Sequence, residues 1–462
     1  MTNSAITSNE LAIVKPSTIS ILLSSVLALS ACSSTDLQEL NDLLPEDEDP
    51  ITESTPEATP EPTPEPAPEN IPLPTPSWTK SYPEGSLSPS RQTLIGNDSM
   101  ALVRSSELDG VNWLTAIDPM SGDELWRLPN IMTLCAPAIT ANGNVVIHLD
   151  PTSAAGGNDS SADLALVDAS TGTILDQWQP GAGVFFSCSN GQLMQSANNV
   201  IVHSLRGEHR GFRISEDNTV ERVWENTELE SFPSYDETQV LGDTLYVIQQ
   251  LERSAGDGVK VVYVRRINAN TGELLATLET TFRRASRLQI AGPDHLAING
   301  VDENADEALM LLTGAGPDSG NNDLAVAWTR VFDGNGDGVT STTSDLALSD
   351  NAFASWSKIT AGSTVTEINL TDGTANWSFQ TSSFSNNDTI VALPDGGYVV
   401  APFGGNFLEA TTKDGDLAWR IETVEEANFP QGFAPLGTDN LVVISESPSD
   451  DGWVAVGVST NR

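Results

Sequence analysis

One short unit, repeated about every 50 residues, constrains this chain more than any other feature. Its clearest copy is Ala116-Ile117-Asp118-Pro119-Met120-Ser121-Gly122-Asp123-Glu124-Leu125-Trp126-Arg127. It reads as strand, tight turn, strand. Asp118 and Ser121 carry side-chain oxygens that can bond the turn's own backbone, and Gly122 can take the positive φ the turn needs. Leu125 and Trp126 begin the second strand, where a large aromatic suits a pleated, half-buried surface.

The unit returns down the chain. Asp168 through Gly172 leads to Trp178, and Asn268 through Gly272 leads to Leu278. Asn369 through Gly373 leads to Trp377, and Thr411 through Gly415 leads to Trp419. A polar residue stands four before the glycine in every copy. The bulky residue follows it by four or by six, a difference that keeps it on one face of a strand. Degenerate copies end at Trp224 and Trp328. The bulky positions 126, 178, 224, 278, 328, 377 and 419 are then 52, 46, 54, 50, 49 and 42 residues apart. Short runs such as Asn144–His148 and Thr244–Ile248 supply further strands between them. Four short strands per period describe a β-propeller blade. Trp78 lies 48 residues before Trp126 and marks an eighth position. The expectation is an all-β, eight-bladed propeller of four-stranded antiparallel blades. Residues near 76–81 would complete the last blade, begun near Phe433, and leave no free edge at the seam.

The pattern Asp-x-x-Ser/Thr-Gly-x-x-Leu-Trp resembles the PQQ-type repeat of the quinoprotein alcohol dehydrogenase-like propellers, over residues 78–462. Lipidated members of that class include the BamB-like lipoproteins of outer-membrane protein assembly. The resemblance implies a propeller and leaves activity open, because enzymes and scaffolds share the repeat.

Ser20–Ala31 holds an apolar run too short to span a bilayer, which takes about 20 residues. Leu29-Ser30-Ala31-Cys32 resembles the lipobox of bacterial lipoproteins, so residues 1–31 read as a signal peptide and Cys32 as the acylated first residue. By that family's sorting rule, Ser33 after the cysteine points to the outer membrane. Residues 32–77 form a linker. Twelve acids fall between Asp36 and Glu69, with no Lys or Arg between Lys15 and Lys80, and prolines recur from Pro56 to Pro76. Such a segment is extended and self-repelling, and at about 3.1 Å per residue its Pro-rich part reaches roughly 60 Å.

Composition excludes some functions. Asp and Glu number 64 against 21 Lys and Arg, a net charge of −43. That balance argues against nucleic acid, whose phosphates need a basic face. His148, His203, His209 and His295 fit no metal or nucleophile motif. Quinoprotein dehydrogenases of this class hold their quinone beside adjacent cysteines, and this chain has none, so PQQ is not expected. One loop suggests a cation: Asp333, Asn335 and Asp337 alternate before Gly338, as in the first half of a calcium loop, with Asp345 as a later oxygen donor. A surface turn explains the same residues. Cys135 lies nine residues after Trp126 and Cys188 ten after Trp178. These near-equivalent places suggest a disulfide between adjacent blades in an oxidising compartment, with two buried thiols as the alternative.

The function expected is that of a non-enzymatic scaffold, lipid-anchored at the bacterial outer membrane and facing the periplasm or the cell surface. It would bind other envelope proteins and require no cofactor beyond, at most, calcium. A glycan- or calcium-linked binding module is the second reading, and a PQQ-dependent dehydrogenase the third.

Overall fold

Short β-runs separated by tight turns yield antiparallel strands throughout. The computed structural model describes residues 76–459, apart from intervening segments of which the longest are 150–162, 179–191, 227–237 and 332–346. Blade one comprises Ser86–Leu87, Leu94–Asn97, Met100–Ser106, Asn112–Ile117 and Glu124–Pro129. Blade two is Ala138–Ile139, Val145–Leu149, Asp163–Val167 and Ile174–Trp178. Blade three is Gln192–Gln195, Val200–Leu205, Glu208–Ile214 and Val220–Asn226. Blade four is Thr238–Leu241, Thr244–Glu252, Lys260–Asn268 and Leu274–Glu279. Blade five is Arg284–Gly292, His295–Val301, Glu307–Thr313 and Ala325–Val331. Blade six is Ala347–Leu348, Ala352–Ile359, Gly362–Asn369 and Ala375–Gln380. Blade seven is Thr389–Ala392, Tyr398–Ala401, Phe407–Thr411 and Leu417–Glu422. The closing blade joins Pro430–Leu436, Asn440–Glu446 and Trp453–Ser459 to the N-terminal strand Pro76–Tyr82.

The expectation of eight equal four-stranded blades needs correction. Seven sheets are four-stranded, and the sheet of blade one has five strands. There Ser86–Leu87 and Leu94–Asn97 both pair with Met100–Ser106, so the position held elsewhere by one inner strand is split. The sequence between the two pieces contains Pro89, which has no N–H to give a ladder. The ring closure does occur: Trp78 pairs with Gly457, Lys80 with Ala455 and Tyr82 with Trp453.

Alternation within the middle strands explains the packing. In Val145–Leu149 every residue is buried, because both faces of the strand meet a neighbouring blade. Val145 and Ile147 pack with Leu102 and Leu114 of blade one. Val146 packs with Ile201 and Phe212 of blade three. The same division recurs at each seam, down to Val442, Ile444 and Trp453 of the closing blade against Ala101 and Val103 of blade one. Burying one such side chain contributes roughly 1.5–3 kcal/mol. Outer strands such as Ala325–Val331 are largely exposed, having a neighbour on one edge only. Most of them carry a register shift just before the signature position, for example between Ala116 and Ile117 and between Glu367 and Ile368. Such a bulge bends the outer strand.

Candidate functional site

The repeated residues build a clasp between consecutive blades. In blade one the Asp118 carboxylate accepts from Met120 N at 2.7 Å and Ser121 N at 3.3 Å, while Gly122 N donates to Asp118 O at 2.8 Å. Asp168 does the same with Ser170 and Thr171. The hydroxyls of Ser170 and then Thr171 also donate to it, which holds its carboxyl below the usual range. Asn268 and Asn369 use an amide oxygen in that place. In blade seven the register differs. Thr412, not Thr411, closes the turn on Asp416, and Thr411 Oγ1 instead accepts from Tyr398 N.

Each turn receives the tryptophan of the blade before it. Trp78 Nε1 donates to Pro119 O at 3.0 Å, and Trp126 Nε1 to Ala169 O at 2.6 Å. Trp224 reaches Ala269 O at 2.8 Å, Trp328 reaches Leu370 O at 2.9 Å, and Trp377 reaches Lys413 O at 3.1 Å. The indoles lie against Gly122, Gly172, Gly272, Gly373 and Gly415 in the same order. All five glycines have positive φ, and a Cβ on any of them would stand within 2.9 Å of the ring. Glycine is therefore required twice, for backbone conformation and for close approach. Only the first reason was legible in the sequence. In the two copies with longer spacing the bulky residue keeps its face two positions further on: Asp176 and Trp178 pair with Leu166 and Leu164, and Ala276 and Leu278 with Arg266 and Val264.

Three seams depart from this pattern. Trp178 meets no glycine: it packs edge-on against Phe212 at 4.9 Å, while Asp176 Oδ2 accepts from Val220 N at 2.6 Å. Between blades four and five Leu278 replaces the indole. Tyr246 Oη donates to Ala315 O at 2.8 Å there, and Pro317 lies against Gly242. Trp419 is buried instead with Leu441, Val443 and Val458 of the closing blade. The tyrosine substitution carries no repeat signature and escapes a reading by motif.

A second polar group lies buried at the seams around blade three. His148, His203, His209 and Arg210 are all buried, and the His148 and His203 rings are 5.1 Å apart. Burial pushes His148 down to about 3, and burial with Arg210 nearby pushes His209 down to about 4. Burial and then the neighbours His148, Arg210 and His209 hold His203 well below the ordinary imidazole range. Buried acids lie elsewhere: Glu367 accepts from Tyr398 Oη at 2.7 Å, and Glu409 pairs with Arg420. Cys32, Cys135, Cys188, Asp333, Asn335, Asp337 and Asp345 lie outside the described residues. Among the described residues no group of three or more His, Cys, Asp or Glu side chains is placed to hold a metal ion.

No protein-family model matches the chain, and no curated protein matches it. Solved structures do. BamB from Moraxella catarrhalis aligns with a TM-score of 0.51 at 13% identity, over 82% of this chain and 99% of that one. The Dos1 propeller aligns with a TM-score of 0.53 at 9% identity, over 83% of this chain and 94% of that one. Sqt1 from Chaetomium thermophilum gives 0.52 at 10%, over 84% and 97%. The chain is a β-propeller. At these identities the likeness is one of fold, and the resemblance to the PQQ-type repeat rests on the repeat residues themselves.

Among the described residues, all the exposed large apolar side chains but Val331, at the far end of its outer strand, gather at the turns. Leu125, Ile174, Leu175, Leu274 and Val326 sit where outer strands leave their turns, and Met120 sits in a turn. Met120 is 63% exposed and Leu274 45%. They place apolar contact points at one end of blades one, two, four and five. Apolar points exposed on a rigid scaffold are a feature of protein-recognition surfaces.

Proposed function

We propose that this chain is a non-enzymatic, protein-binding scaffold of the bacterial envelope, a PQQ-type propeller held at the outer membrane by acylated Cys32. The apolar side chains at the turn end of the outer strands carry the reading. Support for the location comes from the lipobox-like Leu29–Cys32 and from the resemblance to the BamB-like lipoproteins. The acidic linker, residues 32–77, sets the disc away from the lipid. The partners are other envelope proteins, and no cofactor is required. Bound calcium at Asp333, Asn335, Asp337 and Asp345 and a Cys135–Cys188 bridge belong to the same proposal.

The test uses a photo-crosslinking amino acid placed at Met120, Ile174 or Leu274 in cells, with Ser378 as an outer-strand control. Crosslinks to envelope proteins from the first three positions, absent from the control, are expected. Equal yields at all four positions, or none, would overturn the proposed surface. Turnover of an alcohol with added quinone, calcium and a dye acceptor would overturn the non-enzymatic reading.

A further inference from the structure

We infer that the seam between blades two and three is an acid-sensitive joint, which opens in mildly acid solution while seams that bury no imidazole stay closed. Strand alternation puts the groups face to face. Val146 points toward blade three, and His148 shares its face. Ile201 and Phe212 point toward blade two. His203 shares the face of Ile201, and Arg210, which pairs with His203, shares that of Phe212. The row His148–Leu164–Trp178 thus opposes the row Leu193–His203–Arg210–Glu225.

The charges around this seam are nearly all committed. Among the described residues blade two contributes His148 and Asp176, and Asp176 accepts from Val220 N. Blade three contributes His203, Arg210, Arg222 and Glu225. Glu225 takes Arg210 Nε at 2.8 Å and Arg222 Nη1 at 2.9 Å, and Arg222 also lies over the Trp178 ring. His209 is on the opposite face of its strand, toward blade four. A proton on His148 or His203 would add a cation beside a buried Arg210, in a seam whose two carboxylates are already engaged. This seam also lacks the tryptophan–glycine clasp.

In the open joint both imidazoles meet water and titrate near their ordinary value. Closed, they resist protonation, as their downward displacement reflects. The folded pKa is the lower one, so the closed joint is favoured above about pH 6.5 and loses stability as pH falls below it. From pH 7 to pH 5 opening gains about 20–30-fold per imidazole.

Amide hydrogen exchange on the full chain, corrected for intrinsic rates, tests this. Strands Val145–Leu149 and Val200–Leu205 are expected to lose at least about 20-fold in protection from pH 7 to pH 5. Strands Phe407–Thr411 and Asn440–Glu446, whose blades contain no histidine, are the control and should hold theirs. Equal loss in both sets, or none, overturns the inference. The double variant His148→Asn/His203→Asn should flatten the difference. Should that variant lose protection at pH 7, the wild-type series still decides.

Discussion

Two glycines separate the clasp from ordinary turn geometry. Gly172 (φ +69) and Gly143 (φ +89) both adopt a conformation unfavourable to residues with a Cβ. A Cβ on Gly143 would meet nothing within 4 Å, whereas one on Gly172 would stand 2.9 Å from Cγ and Cδ2 of Trp126. Gly143→Ala therefore costs the backbone penalty alone, about 1–2 kcal/mol. Gly172→Ala adds the displacement of an indole that is only 6% exposed. It also breaks the Trp126–Ala169 hydrogen bond, worth about 1 kcal/mol. With about 1–2 kcal/mol for overpacking, the total is about 3–5 kcal/mol. Urea titrations of both variants, followed by tryptophan fluorescence and circular dichroism, should show the larger midpoint loss for Gly172→Ala. A double-mutant cycle with Trp126→Phe should show coupling. Equal losses from the two alanines, with no coupling, would mean that the signature glycine serves backbone conformation only.

Three further outcomes are expected. Deleting residues through Leu73 should leave the melting temperature nearly unchanged. Deleting through Tyr82 should lower it and promote aggregation, because it removes Trp78 and bares the edge of Trp453–Ser459; equal melting of both would refute closure. Cys32→Ser should move the protein from the membrane to the soluble fraction, since stable anchoring depends on acyl chains, and retention through detergent-free washing would refute lipidation. Millimolar calcium should raise the melting temperature and Asp337→Ala should abolish most of the rise, whereas an unshifted wild type would leave a surface turn.

The sequence pattern disclosed the repeat because each clasp draws on two separate blades for residues of fixed type. Trp78 was legible for that reason: it sits 48 residues before Trp126 and docks on the turn of blade one as the others dock on theirs. The split inner strand of blade one was not legible, since strands of two and four residues give too little alternation to read. Tyr246 and Pro317 were hidden for another reason. Their contact replaces the clasp by different chemistry at a different place in the period, and no spacing rule reaches it. The face-to-face placement of His148 and His203 required the strand register, because 55 residues separate them in sequence.

Variation among the seams follows from how a closed ring distributes stress. Every blade packs only on its two neighbours, so no central core can compensate for a weak joint. Where the indole is absent, between blades four and five, a tyrosine hydroxyl and a proline supply the contact from within an apolar cluster. Where the glycine is absent, between blades two and three, the apolar cluster also takes in a hydrogen bond to Asp176 and two buried imidazoles. The first replacement is insensitive to solution conditions below the range where tyrosine ionises, since burial pushes Tyr246 up to about 12. The second exchanges a pH-independent clasp for groups that water can protonate once they are exposed. Local opening in acid should begin where buried groups take up protons on exposure, and in this ring two such imidazoles face each other between blades two and three.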